Sequence, residues 1–238
     1  MGLTVFYTLH HRAPLTDPEA CSLVERLRAA VRDADVQGVS RLIRVGLDSP
    51  LAYEWVDLPQ PGGGLVQVDV PPDTGCLFQV TVGQDCEPLL LGLCRYPTTV
   101  VHRGRVLRTN CGAGWSLRYF CKTQYASLHG WPHFLLCHRA VIEALLIARR
   151  LGLEVKIRDR GGYWPRRSES LLRQSLGVMN GFVAATAGAL KEASDAPPVQ
   201  SPIFAYSQFE HLEHAGAQAL GPSIEETARV IRRVAQAQ

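Results

Sequence analysis

The stretch from Cys121 to Trp164 concentrates the side chains able to do chemistry: CKTQYASLHGWPHFLLCHRAVIEALL, then EVKIRDRGGYW. Three clusters stand out. In the first, Lys122, Thr123, Gln124 and Tyr125 set four polar groups between apolar neighbours. Successive strand residues point to opposite faces, so Lys122 and Gln124 would share one side and Thr123 and Tyr125 the other. A solvated side is the plain explanation. A central strand covered on both faces would instead turn them toward a ligand.

The second cluster is His129-Gly130-Trp131-Pro132-His133. Pro132 suits the first turn of a helix, which sets His129 and His133 around a helix N-terminus. Unsatisfied N–H groups and the helix dipole attract anions there, and an imidazole titrating near neutrality can move a proton. The third cluster, Asp159-Arg160-Gly161-Gly162-Tyr163-Trp164, has two glycines that permit positive φ or a close backbone approach to a ligand.

If the strands carrying the first and third clusters are parallel neighbours, both clusters lie at their C-terminal ends. That is the edge at which open α/β sheets bind ligands. The expectation is a polar pocket for a small anionic ligand. His129, His133 and Asp159 would be its catalytic groups. Lys122, Gln124, Tyr125, Arg160, Gly161, Gly162 and Tyr163 would be its ligand-binding residues. Cys121 would act as a nucleophile only beside a cation that lowered its pKa, and an inert thiol is the simpler reading.

Other chemistries lack their patterns. His133 and His138 are five residues apart, about 140° around a helix, so they do not share a face as an i,i+4 pair does. There is no HExxH and no CxxC, so His129, His133 and His138 with Cys121, Cys137 or Asp159 are not assigned a metal. P-loop, GxGxxG and GxSxG patterns are absent as well. The sequence names neither a cofactor nor a reaction.

These clusters need elements to position them. Residues 3–9 (LTVFYTL) read as a strand, and Asp17-Pro18 opens a helix to about residue 33. VSRLIRVG (39–46) reads as the next strand. The breakers in PQPGGG mark a loop or hairpin excursion. CLFQVTVG and PLLLGLCRYP follow as strands, and Arg103-Gly104-Arg105 as a turn. SLRYFCKTQYAS (116–127) reads as one strand, Trp131–Leu151 as a helix stopped by Gly152, and LEVKIRD (153–159) as a strand. Further on come a helix over 168–193, a linker over 195–202, a short strand and helix, and a final helix capped by Ser223 and Glu226.

The fold class expected is α+β (α/β-like): two β-α-β units with extra antiparallel strands forming a mixed sheet, plus C-terminal helices. Residues 1–194 would form one domain of two halves, about 1–100 and 110–194. Residues 195–238 would be a linker and helical segment packing on it.

Composition sets the outer limits. The chain has 238 residues, enough for a substantial core. Lys and Arg total 25 against 22 acids, a net charge of +3. The basic runs are short and no strand reads as alternating aromatic and basic residues, which argues against nucleic acid. Seven cysteines without a CxxC pair, no basic-then-apolar leader, and an apolar stretch at 140–148 broken by Glu143 predict a reduced, cytoplasmic protein off the membrane. The alternative function is a non-catalytic interaction or regulatory subunit, docking a protein partner through the C-terminal helix or the PQPGGG loop.

Overall fold

The computed structural model describes residues 2–59, 63–109, 111–112, 114–191 and 200–221. The first strand, β1 (Thr4–His11), alternates cleanly: Val5, Tyr7 and Leu9 are buried, while Phe6, Thr8 and His10 are half-buried on the opposite side. Helix α1 (Asp17–Arg32) follows. Its cap is Thr16, one residue before the position read from sequence. The Thr16 backbone N–H and hydroxyl both donate to the Glu19 carboxylate at 2.7 Å, the acidic half of a capping box. Asp17 instead accepts from Thr74 and Arg95, each at 3.2 Å.

The strand read over 39–46 is two pieces, β2 (Gly38–Val39) and β3 (Ile43–Val45). Ser40 explains the break: its hydroxyl accepts the Gln79 N–H at 2.9 Å and donates to the Arg41 carbonyl at 2.8 Å. A side chain thus takes a ladder position that a backbone carbonyl would hold. The expected excursion is a hairpin, β4 (Glu54–Pro59) against β5 (Leu65–Val70). Next come β6 (Thr74–Thr81) and β7 (Leu89–Arg95), paired over seven residues. A second small hairpin, β8 (Thr99–His102) with β9 (Arg105–Arg108), turns at Arg103-Gly104.

β10 spans Trp115–Lys122 and stops there, with a 3-10 turn over Gln124–His129 in place of the strand read to residue 127. The Ser127 hydroxyl donates to the Gln124 carbonyl at 2.7 Å and the Ala126 N–H to Thr123 at 3.1 Å, which closes the turn. Helix α2 (Trp131–Arg150) ends before Gly152 at φ +95°, as predicted. It is long and apolar enough to cross a membrane, yet more than half of that window is buried inside the protein, as in a core helix. After β11 (Glu154–Asp159) come α3 (Glu169–Lys191), a 3-10 turn at Pro202–Ala205 where a short strand was expected, and α4 (Phe209–Leu220). Ser201 caps that turn by accepting the Ile203 N–H, and a proline at its start suits a helical turn better than a ladder. Most of the expected linker and all of the helix from Ser223 lie outside the described residues.

The fold is α+β with a mixed sheet and C-terminal helices. The main sheet runs β11-β1-β10-β7-β6-β2, with β3 also on β6. Leu3 accepts the Thr123 N–H and Thr4 the Arg160 N–H, so the start of β1 meets the ends of both β10 and β11. β1 therefore runs against each. β10 and β11 are parallel members of a β-α-β unit, but they are not the neighbours that the sequence reading required. β1 separates them, in the split β-α-β manner.

Two compact units emerge, and neither is a continuous stretch of sequence. Among the described residues, one holds 5–121 and 137–158, the other 2–4, 122–136, 159–191 and 200–221. In the first, both helices lie on one face of the sheet. The Cys21 thiol of α1 meets Cys76 of β6, and Cys137 of α2 lies beside Cys121 of β10. Leu23, Val24 and Leu27 join Val5, Leu9, Phe78 and Leu91 in that core. The Tyr7 hydroxyl donates to the Leu90 carbonyl within it. In the second unit α4 packs along α3 at Gly216, where a Cβ would come within 2.0 Å of the Gly181 carbonyl oxygen. The contact buries Ala184, Ala187 and Ile203 under Phe204, Phe209 and Leu212.

Candidate functional site

All ten residues expected to form a site lie in the second unit, and several are engaged in holding its own backbone. Gln124 is 1% exposed. Its Oε1 accepts the Leu3 N–H at 3.0 Å and its Nε2 donates to Asn180 Oδ1 at 2.8 Å. Asn180 donates on to the Ser127 hydroxyl at 3.4 Å, which lies 2.7 Å from the Tyr206 hydroxyl. The chain Gln124–Asn180–Ser127–Tyr206 ties the 3-10 turn, α3 and the Pro202 turn together.

Asp159 uses both carboxylate oxygens locally, accepting Gly161 N–H at 2.6 Å and Trp164 N–H at 2.9 Å. Those bonds fold the loop after β11 over itself. Gly161 is buried because a Cβ there would meet Leu172 at 2.5 Å and Leu3 at 2.8 Å. Gly162 takes φ +75°, a turn conformation that favours glycine. Tyr163 is buried, and the Arg167 guanidinium lies 5.4 Å from its ring and 5.2 Å from that of Trp164. Leu3, fully buried, therefore stands between the first and third clusters, held by Gln124 through its N–H and packed on Gly161 through its side chain.

The remaining expected residues are more open. The His129 and His133 rings meet edge to face at 5.1 Å, His129 exposed and His133 half-buried. Lys122 and Tyr125 are half-buried and Arg160 is exposed. With the strand ending at Lys122, Lys122 and Gln124 no longer share a strand face. Cys121 is buried and its thiol is pushed up by burial, with Glu87 adding to the shift. It is no nucleophile.

The first unit holds a cleft that local pattern did not reveal. The helix-free face of its sheet carries a cleft of about 590 Å³. Its floor is Thr8 and His10 from β1, Ser116 and Arg118 from β10, and Glu154 and Lys156 from β11. Its wall is Glu54, Trp55, Val56 and Asp57 of the β4–β5 hairpin, and Thr109 and Cys111 complete the lining. The hairpin is anchored at its base. Ala52 sits at φ +62°, and its carbonyl accepts the buried Tyr96 hydroxyl at 2.8 Å.

Glu54 is the unusual group. It is 7% exposed, and burial raises its pKa against the opposing pull of Arg118, whose guanidinium is 3.7 Å away. Glu154 is the opposite case: hydrogen bonding by Arg12 holds its carboxyl low, and His10 Nδ1 lies 3.4 Å from it. Two carboxyl groups in one cleft are thus driven apart in acidity, the arrangement that lets one carry a proton while the other stays ionised. Cys111 is held protonated by burial, so it does not compete as an anion.

Beside the cleft, the Phe6 and Phe120 ring centres lie 6.0 Å apart, and Trp55 stacks on Phe120 at 6.2 Å. β10 thus presents Ser116, Arg118 and Phe120 in turn on the open face. Among the described residues no group of three or more His, Cys, Asp or Glu is disposed to hold a metal ion. Comparison with protein-family models, curated proteins and solved structures finds no match for this chain.

Proposed function

We propose that this protein binds a small polar ligand bearing an anionic group, and that the ligand sits in the cleft on the helix-free face of the sheet. The observation that carries the reading is Glu54, a carboxyl group buried at the cleft wall, raised in pKa and faced by Arg118. A buried, perturbed acid in a concave polar site marks function more often than structure. Arg118 and Lys156 supply the cations for the anionic group, and Glu54 supplies a proton donor or acceptor beside it. None of the seven cysteines is in a disulfide, which supports a reducing, cytoplasmic setting.

A second reading has its own observation. Val101 and Val106 face each other across the β8–β9 hairpin and are 73% and 71% exposed. Such an apolar pair favours contact with another protein, as an interaction subunit would make.

A thermal-shift screen of phosphate, di- and tricarboxylates, amino acids and phosphosugars tests the first reading. A compound at about 100 times its Kd stabilises the native state by about 2.7 kcal/mol. The expected result is one class that raises the wild-type Tm and loses its effect in Glu54→Gln and Arg118→Ala. Stabilisation untouched by either variant, or by no compound at all, overturns it.

A further inference from the structure

We propose that the occupant of this cleft is a nucleotide within an extended single-stranded nucleic acid, its base stacked on Trp55 and its phosphates against the cations of β10 and β11. The inference rests on the cleft reading above and names its ligand class. Trp55 is 54% exposed although its ring already stacks on Phe120, which in turn packs on Phe6. A large aromatic left half in water, yet supported from behind, is a pre-ordered platform for another flat ring. A base binding there loses little of the protein's side-chain freedom.

The charges are arranged to match. Glu154 is committed to Arg12 and His10. Glu54 is drawn toward its neutral form by burial. The exposed cations on this face are then Arg118, with a side chain 67% exposed, Lys156 and Arg158. The last two are alternate residues of β11 and share its open side with Glu154. Asp57, Ser116 and Thr8 also line the cleft and offer acceptors and hydroxyl groups to base edges and ribose hydroxyls.

An open sheet face favours an extended strand over a duplex, because a base must leave its own stack to lie on Trp55. Arg118 and Lys156 line the cleft, and Arg158, two residues on along β11, extends the row beyond it, as successive phosphates of a strand would use. The small net charge of +3 is no obstacle, since the cations that count are those on this face.

The test is fluorescence anisotropy of the full chain with labelled 15-nucleotide oligo(U) and oligo(dT), at about 50 and 200 mM salt. Unlabelled UMP and a duplex of the same length serve as competitors. The expected result is single-strand binding that weakens with salt. Trp55→Ala should lose at least tenfold in affinity while Trp55→Phe stays within about threefold of wild type. Lys156→Ala and Arg158→Ala should each weaken binding and flatten the salt slope by about one unit. All three positions are exposed, and unchanged melting of each variant confirms folding.

Oligonucleotide binding that Trp55→Ala and Lys156→Ala leave intact overturns the inference, because the strand then lies elsewhere. UMP competing as well as the oligonucleotide overturns the single-strand form and leaves a free nucleotide. No oligonucleotide binding, alongside an Glu54→Gln-sensitive ligand in the thermal-shift screen, overturns this inference and spares the cleft reading. No binding in either assay overturns both.

Discussion

Replacing Gln124 by alanine separates a structural role from a ligand-binding one. The side chain makes two hydrogen bonds, accepting from Leu3 at 3.0 Å and donating to Asn180 at 2.8 Å. Leu3 is fully buried and Asn180 is 6% exposed, so water does not replace the lost partner at either. Each buried group left unsatisfied costs about 1–3 kcal/mol, which gives a loss of about 2–6 kcal/mol for the pair. In a chain of this length each kcal/mol moves Tm by about 2–4 °C, so a mid-range loss of about 4 kcal/mol is a fall of roughly 8–16 °C. Denaturant unfolding measures the free energy, and amide exchange at Leu3 locates it. The Leu3 N–H should lose most of its protection, while the Tyr7–Leu90 region of the other unit keeps its own. A loss below about 1 kcal/mol with Leu3 still protected refutes the reasoning and returns Gln124 to the candidate ligand contacts.

Further expectations follow from the same contacts. Asp159→Ala removes two charge-assisted bonds and should cost about 2–4 kcal/mol, with faster amide exchange at Gly161 and Trp164; unchanged exchange at both amides counts against the loop-closing role. Gly161→Ala forces a methyl group against Leu172 and Leu3 and should destabilise by about 1–3 kcal/mol in urea titration. Glu54 binds its proton more tightly folded than unfolded, so it favours the native state at low pH. That contribution is lost as pH rises from its unfolded pKa through its raised folded one. Glu54→Gln should therefore gain stability relative to wild type between pH 4 and 7, and a difference constant over that range rejects the assignment. Tyr96→Phe should cost about 1 kcal/mol and weaken whatever ligand the cleft takes, since the hydroxyl holds the base of the hairpin wall.

What the sequence disclosed was local. The PQPGGG breakers marked a loop or hairpin where β4 and β5 now pair, Arg103-Gly104 marked the turn between β8 and β9, and Gly152 marked the end of α2. Sheet order was hidden because β1 pairs with strands more than a hundred residues away, and a strand's own pattern does not name its partner. The polar clusters were ambiguous for a related reason. A carboxylate or amide among apolar residues looks alike whether a ligand or a distant backbone amide will satisfy it. Gln124 is satisfied by Leu3 from 121 residues away, and Asp159 by a loop of its own making.

Placing β1 between β10 and β11 changes where a ligand can sit. In an open parallel sheet helices cover both faces, so ligands are confined to the strand ends. Here both helices lie on one face, and along every strand half the side chains face away from them. His10, Arg118, Glu154 and Lys156 are polar for that reason, and no one of them is conspicuous in its own segment. Only the fold gathers them, and only the β4–β5 hairpin turns that exposed face into a cleft by adding Glu54 and Trp55. The local signal was the alternation of Ser116 and Arg118 with buried Trp115 and Leu117 on β10, and of Glu154 and Lys156 with buried Val155 on β11. In a sheet covered on one side such alternation marks the open face, the one on which the proposed ligand would lie.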